Sequence, residues 1–283
     1  MSRKKVTILD LQRKKENGRP ITMLTAYDFT GAQLVDKAEI DVILVGDSLG
    51  MVVLGYDSTV PVTMAEMLHH CRAVARGAQF ALTVGDMPFL SYQTDLVEAV
   101  RNAGLLLKEG RMDSVKLEGG REMVLTIEAI IRAGMPVMGH IGLTPQSQSK
   151  LGGYKVQGKT AVSAHNLLQD ALALEAAGCF SIVLEAVPEP VATAISQRLT
   201  IPTLGIGAGA GCDGQVLVYH DLLGLFDRLQ PRFVKEYANL GQTILNAFVA
   251  YRDDVADGRF PAAEHTYPMS EAEEAEFRRM IAE

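Results

Sequence analysis

The chain has 283 residues, with 34 acidic and 27 basic side chains and a formal net charge of −7. That balance argues against binding a phosphate backbone as the main function, and no run of about 18 apolar residues offers a membrane span. Hydrophobic residues make up 48% and charged residues 22%, as in a globular protein with a large core; a single α/β barrel commonly runs to about 250 residues. Residues 1–20 are basic but lack an apolar h-region and a small-residue cleavage site, which predicts a cytoplasmic protein. Cys71, Cys179 and Cys212 lie far apart without CxxC spacing, so they read as reduced thiols and not as a disulfide framework or zinc site; Cys212, in a glycine-rich stretch, reads either as a reactive thiol or as an inert small side chain.

In chain order, the first strand-like run is 21–26 (ITMLTA). The second, 41–47 (DVILVGD), ends on Asp47, with Ser48 next. Thr63 and Glu66 form a capping box that opens a helix stopping near Gly77. The third run, 81–86, ends on Asp86. Asp95, with Glu98 at the third helical position, caps a helix that Gly110 closes. The run 114–118 (SVKLE) ends on Glu118, and Lys116 shares its strand face. Residues 122–133 are apolar at helical spacing and stop at Gly134. The run 135–140 ends on His140. A helix over 165–177 is closed by Gly178, and the run 181–186 carries Glu185. Pro190 fits the first turn of the next helix. The last runs are 202–207 and 215–219.

Eight short runs, nearly continuously apolar and alternating with helices, predict a (β/α)₈ TIM barrel, an α/β fold with strands buried on both faces. An open doubly wound sheet would gather its site at one switch point; acids ending runs two, three, four and six suit a closed ring better. Residues 143–160 are too long and polar for an ordinary βα loop and read either as a surface insertion or as a lid over the barrel mouth. The glycine run Gly205–Gly214 reads either as an anion cradle or as close packing. Residues 266–283 form an acidic tail, a solvated helix or a disordered end, after a single domain over 1–265.

A buried strand gains nothing from a carboxylate, because an unpaired charge taken out of water is costly. Asp47, Asp86 and Glu118 together therefore predict a cation. An all-oxygen set favours a hard ion, Mg²⁺ first, with open positions for a bidentate 2-keto acid. Lys116 is placed to hold the substrate carboxylate or to pair with Asp86 or Glu118. Ser48 either donates at the same place or caps a turn. Glu185, across the ring from the second strand, is the candidate base for a proton beside the keto group. Its alternative is a structural pair with a loop cation. His140 is near this mouth either as a substrate contact or as a satisfied core histidine.

The stretches TAYDFTGAQLVDKAEIDVILVGDSLGMVVLGYDSTVPVTMAEM, GDMPFLSY, VKLEGG, VMGHIGLTPQS, GGYKVQG and GIGAGAGCDGQVLV resemble the ketopantoate hydroxymethyltransferase family over roughly residues 5–265. The resemblance implies a barrel akin to the phosphoenolpyruvate mutase and isocitrate lyase group. It implies transfer of a hydroxymethyl group from 5,10-methylenetetrahydrofolate to 3-methyl-2-oxobutanoate, giving 2-dehydropantoate in pantothenate synthesis. Matched by motif, Asp47 and Asp86 bind Mg²⁺ with Glu118 completing the site; Ser48, Asp86 and Lys116 hold the keto acid; Glu185 is the proton acceptor. The family also implies a homo-oligomer, typically a decamer.

Overall fold

The computed structural model describes residues 3–228 and 231–282. At its centre is a closed barrel of eight parallel strands in sequence order. They are β1 Ile21–Thr25, β2 Val42–Val45, β3 Leu82–Asp86, β4 Ser114–Glu118, β5 Val137–Gly142, β6 Ser181–Glu185, β7 Thr203–Ile206 and β8 Gly214–Leu217. The ring closes where Met23 of β1 stands opposite Val216 of β8.

Alternation along each strand sorts the side chains. Ile21, Met23, Val42, Leu44, Leu82, Val84, Met138, Val183, Leu204 and Val216 fill the interior. Their neighbours Ile43, Val45, Val115, Leu117, Ile182 and Leu184 pack against the helices. Each buried aliphatic side chain contributes about 1.5–3 kcal/mol over an exposed one. The inward stripe turns polar toward the carboxyl ends. Counting by twos, Val84 leads to Asp86, Ser114 to Lys116 and Glu118, Met138 to His140, and Val183 to Glu185, and all of them face the same end of the barrel.

The opposite end is sealed. The helix Ile8–Glu16 sends Leu11, fully buried, into the interior cluster. Three adjacent strand pairs share one clasp there: the Thr22 N–H and hydroxyl donate to Asp41 Oδ2 at 2.9 and 3.0 Å, Thr83 does the same to Asp113 at 2.8 and 2.7 Å, and Thr203 to Asp213 at 2.8 and 3.0 Å. Each carboxylate sits just before one strand and pins the start of its neighbour.

The outer helices follow their predicted signals. Thr63 and Glu66 form the capping box of Met64–Gly77, and Asp95 accepts from the Glu98 N–H at the start of Leu96–Lys108. A 3₁₀ turn Arg121–Met123 precedes Val124–Arg132. The helix after β5 is Ala161–Ala176, begun by a Thr160 cap four residues before the expected 165. The eightfold strand–helix alternation fails once. Residues 207–213 join β7 to β8 with no helix between them; a glycine-rich backbone makes the crossover tightly enough to do without one. The tail forms the exposed helix Glu271–Ile281, whose Ser270 cap accepts from the Glu273 N–H. Before it runs Leu240–Ala256, seventeen residues with none buried, an element absent from the sequence reading.

Candidate active site

The carboxyl ends of the strands open into a cavity of about 930 Å³ lined by Asp47, Ser48, Asp86, Lys116, Glu118, His140 and Glu185. All seven predicted site residues therefore meet at one mouth. Strand register explains how. Asp86 is the lateral partner of Lys116, and Glu118 that of His140. Asp47 lies two residues beyond β2, where its N–H donates to Asp86 Oδ2 at 3.1 Å.

Lys116 Nζ lies 2.6 Å from Asp86 Oδ1, with both side chains almost fully buried. The contact is ionic and lacks hydrogen-bond alignment, which leaves Asp86 Oδ1 without a hydrogen-bond partner. Burial alone would lower the Lys116 pKa, but Asp86, Glu118 and Asp47 outweigh it and raise it above the ordinary lysine value, so the ammonium stays charged. Lys116 Nζ also stands 3.2 Å from His140 Nδ1. Since an ammonium only donates, Nδ1 accepts and the His140 proton sits on Nε2. Burial and the Lys116 charge hold the His140 pKa well below its usual value, so the ring is neutral. Nε2 faces Glu185 Oε2 at 3.2 Å, again without hydrogen-bond alignment.

Burial drives the acids toward protonation. The Asp47 carboxyl is pushed up to about 7, by burial first and the Asp86 charge second. Burial also lifts Glu185 to about 7, against the opposing pull of Lys116. Glu118 is raised well above the usual carboxylate range by burial and then by Asp47. Three buried carboxyls held high by desolvation, two of them also by neighbouring carboxylates, mark a candidate functional centre.

The sequence alternatives resolve residue by residue. Ser48 begins the short helix Leu49–Val52 but makes no capping bond; its hydroxyl instead pairs with the Tyr27 hydroxyl at 2.8 Å. Among the described residues Glu185 makes no ion pair with Lys or Arg; its neighbour is His140. The backbone around Glu185 is tightly held. Ala186 adopts a left-handed φ of 47°, and the Glu185 carbonyl accepts from the Leu143 N–H at 2.8 Å. The Gly205–Gly214 run is explained by close approach: a Cβ on Gly211 would meet Thr193 Oγ1 at 1.9 Å, and one on Gly214 would meet the Ile21 carbonyl at 2.4 Å. Cys71 and Cys179 are buried, and burial raises the pKa of Cys212, so none is an activated thiol.

Sequence reasoning missed Gln146. It is buried at the base of the 143–160 segment and ties the acids together. Its side-chain amide donates to Asp47 Oδ2 and to the Met87 carbonyl, both at 2.9 Å. Its backbone N–H donates to Glu118 Oε2 at 3.0 Å, and its side-chain Oε1 accepts from the Tyr92 hydroxyl at 2.7 Å. Only Pro145, which sets a 3₁₀ turn just past the strand, could have signalled it. The rest of the segment lies across the mouth, where Tyr154 and Val156 line the cavity and the Gln157 N–H donates to the Ala186 carbonyl at 2.9 Å.

Among the described residues, no group of three or more His, Cys, Asp or Glu side chains is gathered closely enough to enclose a metal ion by itself. The donor set still fits Mg²⁺, which needs only one or two carboxylates and fills its other positions with water or substrate oxygens. Asp86 Oδ1 meets the Lys116 ammonium at 2.6 Å and keeps a lone pair for an ion. Asp47 commits only Oδ2 to Gln146.

Fold and site together define a (β/α)₈-barrel enzyme whose charged residues converge at the carboxyl ends of the strands. Among solved structures, phosphonopyruvate hydrolase in complex with oxalate and Mg⁺⁺ matches with a TM-score of 0.61 at 14% identity, covering 98% of this chain and 97% of that one. 2,3-Dimethylmalate lyase, a member of the PEP mutase/isocitrate lyase superfamily, matches with a TM-score of 0.58 at 14% identity, covering 93% and 92%. These likenesses establish the fold. Sequence comparison goes further. The 3-methyl-2-oxobutanoate hydroxymethyltransferase of Moorella thermoacetica is 58% identical over 94% of this chain and 98% of its own length. That of Heliobacterium modesticaldum is 56% identical over 95% and 97%. A sequence model of the ketopantoate hydroxymethyltransferase family matches residues 5–263, and the chain belongs to that family of transferases.

Proposed function

We propose that the protein transfers a hydroxymethyl group from 5,10-methylenetetrahydrofolate to 3-methyl-2-oxobutanoate, giving 2-dehydropantoate for pantothenate synthesis in the cytoplasm. The observation that carries this reading is the meeting of Asp47, Asp86, Lys116 and Glu185 in one cavity, in a chain 58% identical to a relative of that name. A structural neighbour titled as a complex with oxalate and Mg⁺⁺ supports the choice of ion and of a ligand with two adjacent oxygen-bearing carbons.

Asp47 and Asp86 would hold Mg²⁺, with Glu118 completing the anionic set. When bound, the ion supplies Lewis acidity to the keto acid's oxygens. Lys116 and Ser48 orient the substrate carboxylate, beside Asp86. The neutral His140, whose Nε2 stands 3.2 Å from Glu185 Oε2, walls that carboxylate on the side away from the substrate. Glu185, with a pKa near 7, is matched to take the proton from C3. The C3 enolate then bonds to the one-carbon unit as one of that carbon's two bonds to folate nitrogen breaks; a water oxygen replaces the second nitrogen to give the hydroxymethyl group, and the two freed nitrogens take up the proton removed by Glu185 and one from the water. The 143–160 segment closes over the reacting groups and excludes bulk water. All of this lies in one catalytic domain over 1–265.

The assembly is a homo-oligomer, and the family resemblance makes it a decamer. Its support here is the helix Leu240–Ala256, which leaves Leu245, Phe248 and Tyr251 more than half exposed.

The test is product formation by the purified protein with Mg²⁺, the folate and either 3-methyl-2-oxobutanoate or pyruvate-type keto acids. The reading expects 2-dehydropantoate from the first and folate-dependent turnover that drops when residues 152–157 are replaced by a glycine–serine link. Folate-independent cleavage of another keto acid would overturn it.

A further inference from the structure

The cavity is far larger than a five-carbon keto acid needs; about 930 Å³ lies near the upper end of the range for sites that enclose drug-sized ligands. Its chemistry is divided. The metal-binding acids and Lys116 come from β2, β3 and β4. Across the ring, four strands from β4, the segment after β8 supplies Asp221 to the same cavity. The Asp221 backbone carbonyl accepts from the Gly224 N–H at 3.2 Å, but its carboxylate has no hydrogen-bond or ion-pair partner among the described residues, and burial pushes it up to about 6. None of the steps at the keto acid requires it.

Val218, Phe226, Pro231, Arg232 and Phe233 line the same cavity, so the residues that follow β8 bring two aromatic rings and one cation to it. Phe233 packs against Gly207, where a Cβ would come within 2.5 Å of its ring. Gly207 has a φ of +63°, so both its conformation and the contact require glycine. The start of the glycine run therefore leaves room for an aromatic wall. A partly buried carboxylate with no donor, facing aromatic walls, calls for a flat heterocycle that brings two adjacent N–H groups. A carboxylate accepts such a pair through its two oxygens.

We propose that Asp221, walled by Phe226 and Phe233, binds the 2-amino-4-oxopyrimidine edge of the reduced pterin of the folate. The site rests on the folate-dependent reading above. The pterin edge lies at the β8 side of the mouth, which leaves the one-carbon unit free to face the keto acid at the β2–β4 side.

The experiment compares wild type, Asp221→Ala and Asp221→Asn in two assays. The first is steady-state transfer with varied 5,10-methylenetetrahydrofolate. The second is deuterium exchange at C3 of 3-methyl-2-oxobutanoate with Mg²⁺ and no folate. Both variants should raise the folate KM by about 10- to 100-fold, as expected for losing charge-assisted hydrogen bonds, while C3 exchange and the keto-acid KM stay within about twofold of wild type. Tetrahydrofolate lacking the 2-amino group should bind wild type less tightly than tetrahydrofolate does, and Asp221→Ala should bind the two alike. Should either variant fail to fold, Phe233→Leu with the same assays carries the test. A folate KM unchanged in the variants, or C3 exchange falling in step with it, overturns the proposal. Wild type that shows no C3 exchange instead overturns the reading on which it rests.

Discussion

Asp47 and Glu185 each have pKa values near 7, above the roughly 4 of carboxyls in an unfolded chain. Their folded values are raised, so the folded state holds extra protons between those limits. The stability they contribute is complete below about pH 4 and is lost as pH rises through about 7. A divalent cation competes with those protons, so it should bind and stabilise more strongly once they have left. Mg²⁺ is therefore expected to raise Tm by several degrees at about pH 8 and by much less at about pH 5.5. Thermal melts with and without the ion at both pH values check this; equal shifts would show that the carboxyls do not hold it. At this scale the sequence was informative because a carboxylate ending an apolar run has no structural purpose. Gln146 was invisible for the opposite reason. A neutral amide in a polar loop carries no cost that marks it, and its role appears only when the loop folds back onto Asp47 and Glu118.

Among the elements, the two barrel ends divide the work. The carboxyl ends of the strands carry the chemistry. The amino ends carry the repeated threonine–aspartate clasps at Asp41, Asp113 and Asp213. Thr83 is buried, and its hydroxyl donates to Asp113 at 2.7 Å. Thr83→Val keeps the shape and removes that bond. It should cost about 0.5–1.5 kcal/mol in urea unfolding and leave kcat/KM unchanged, since conservation of function sits at the other face. A matching fall in activity would mean that the two ends are coupled. The strands and most helices were legible because two-sided burial makes continuous apolar runs and because caps are local. The β7–β8 link and the 161–164 turn of the next-to-last long barrel helix were not. The first breaks the repeat through glycine contacts set by distant residues, and the second (Ala-Val-Ser-Ala) buries none of its side chains and rests on a Thr160 cap that no hydrophobic spacing announces.

For the whole molecule, the barrel is self-contained but the C-terminal helices are not. No residue of Leu240–Ala256 is fully buried, and Phe248 and Tyr251 are 66% and 60% exposed. Contiguous exposed apolar surface of this kind marks an interface. Light scattering on the eluting protein should give a mass several times the 30.6 kDa chain, and Phe248→Glu should dissociate it. A monomeric wild type would contradict the oligomer. The sequence did not show this helix as an interface, because its apolar residues are mixed with polar ones and lie outside the strand–helix repeat.

The account turns on Glu185 as a base acting on a keto acid held at Asp47, Asp86 and Lys116. Deuterium exchange at C3 of 3-methyl-2-oxobutanoate, followed by NMR with Mg²⁺ and no folate, isolates that step. The wild-type protein should exchange the proton, Glu185→Gln should slow exchange by about 10²-fold or more, and chelation of the ion should stop it. Exchange that persists at the wild-type rate in Glu185→Gln would contradict the account.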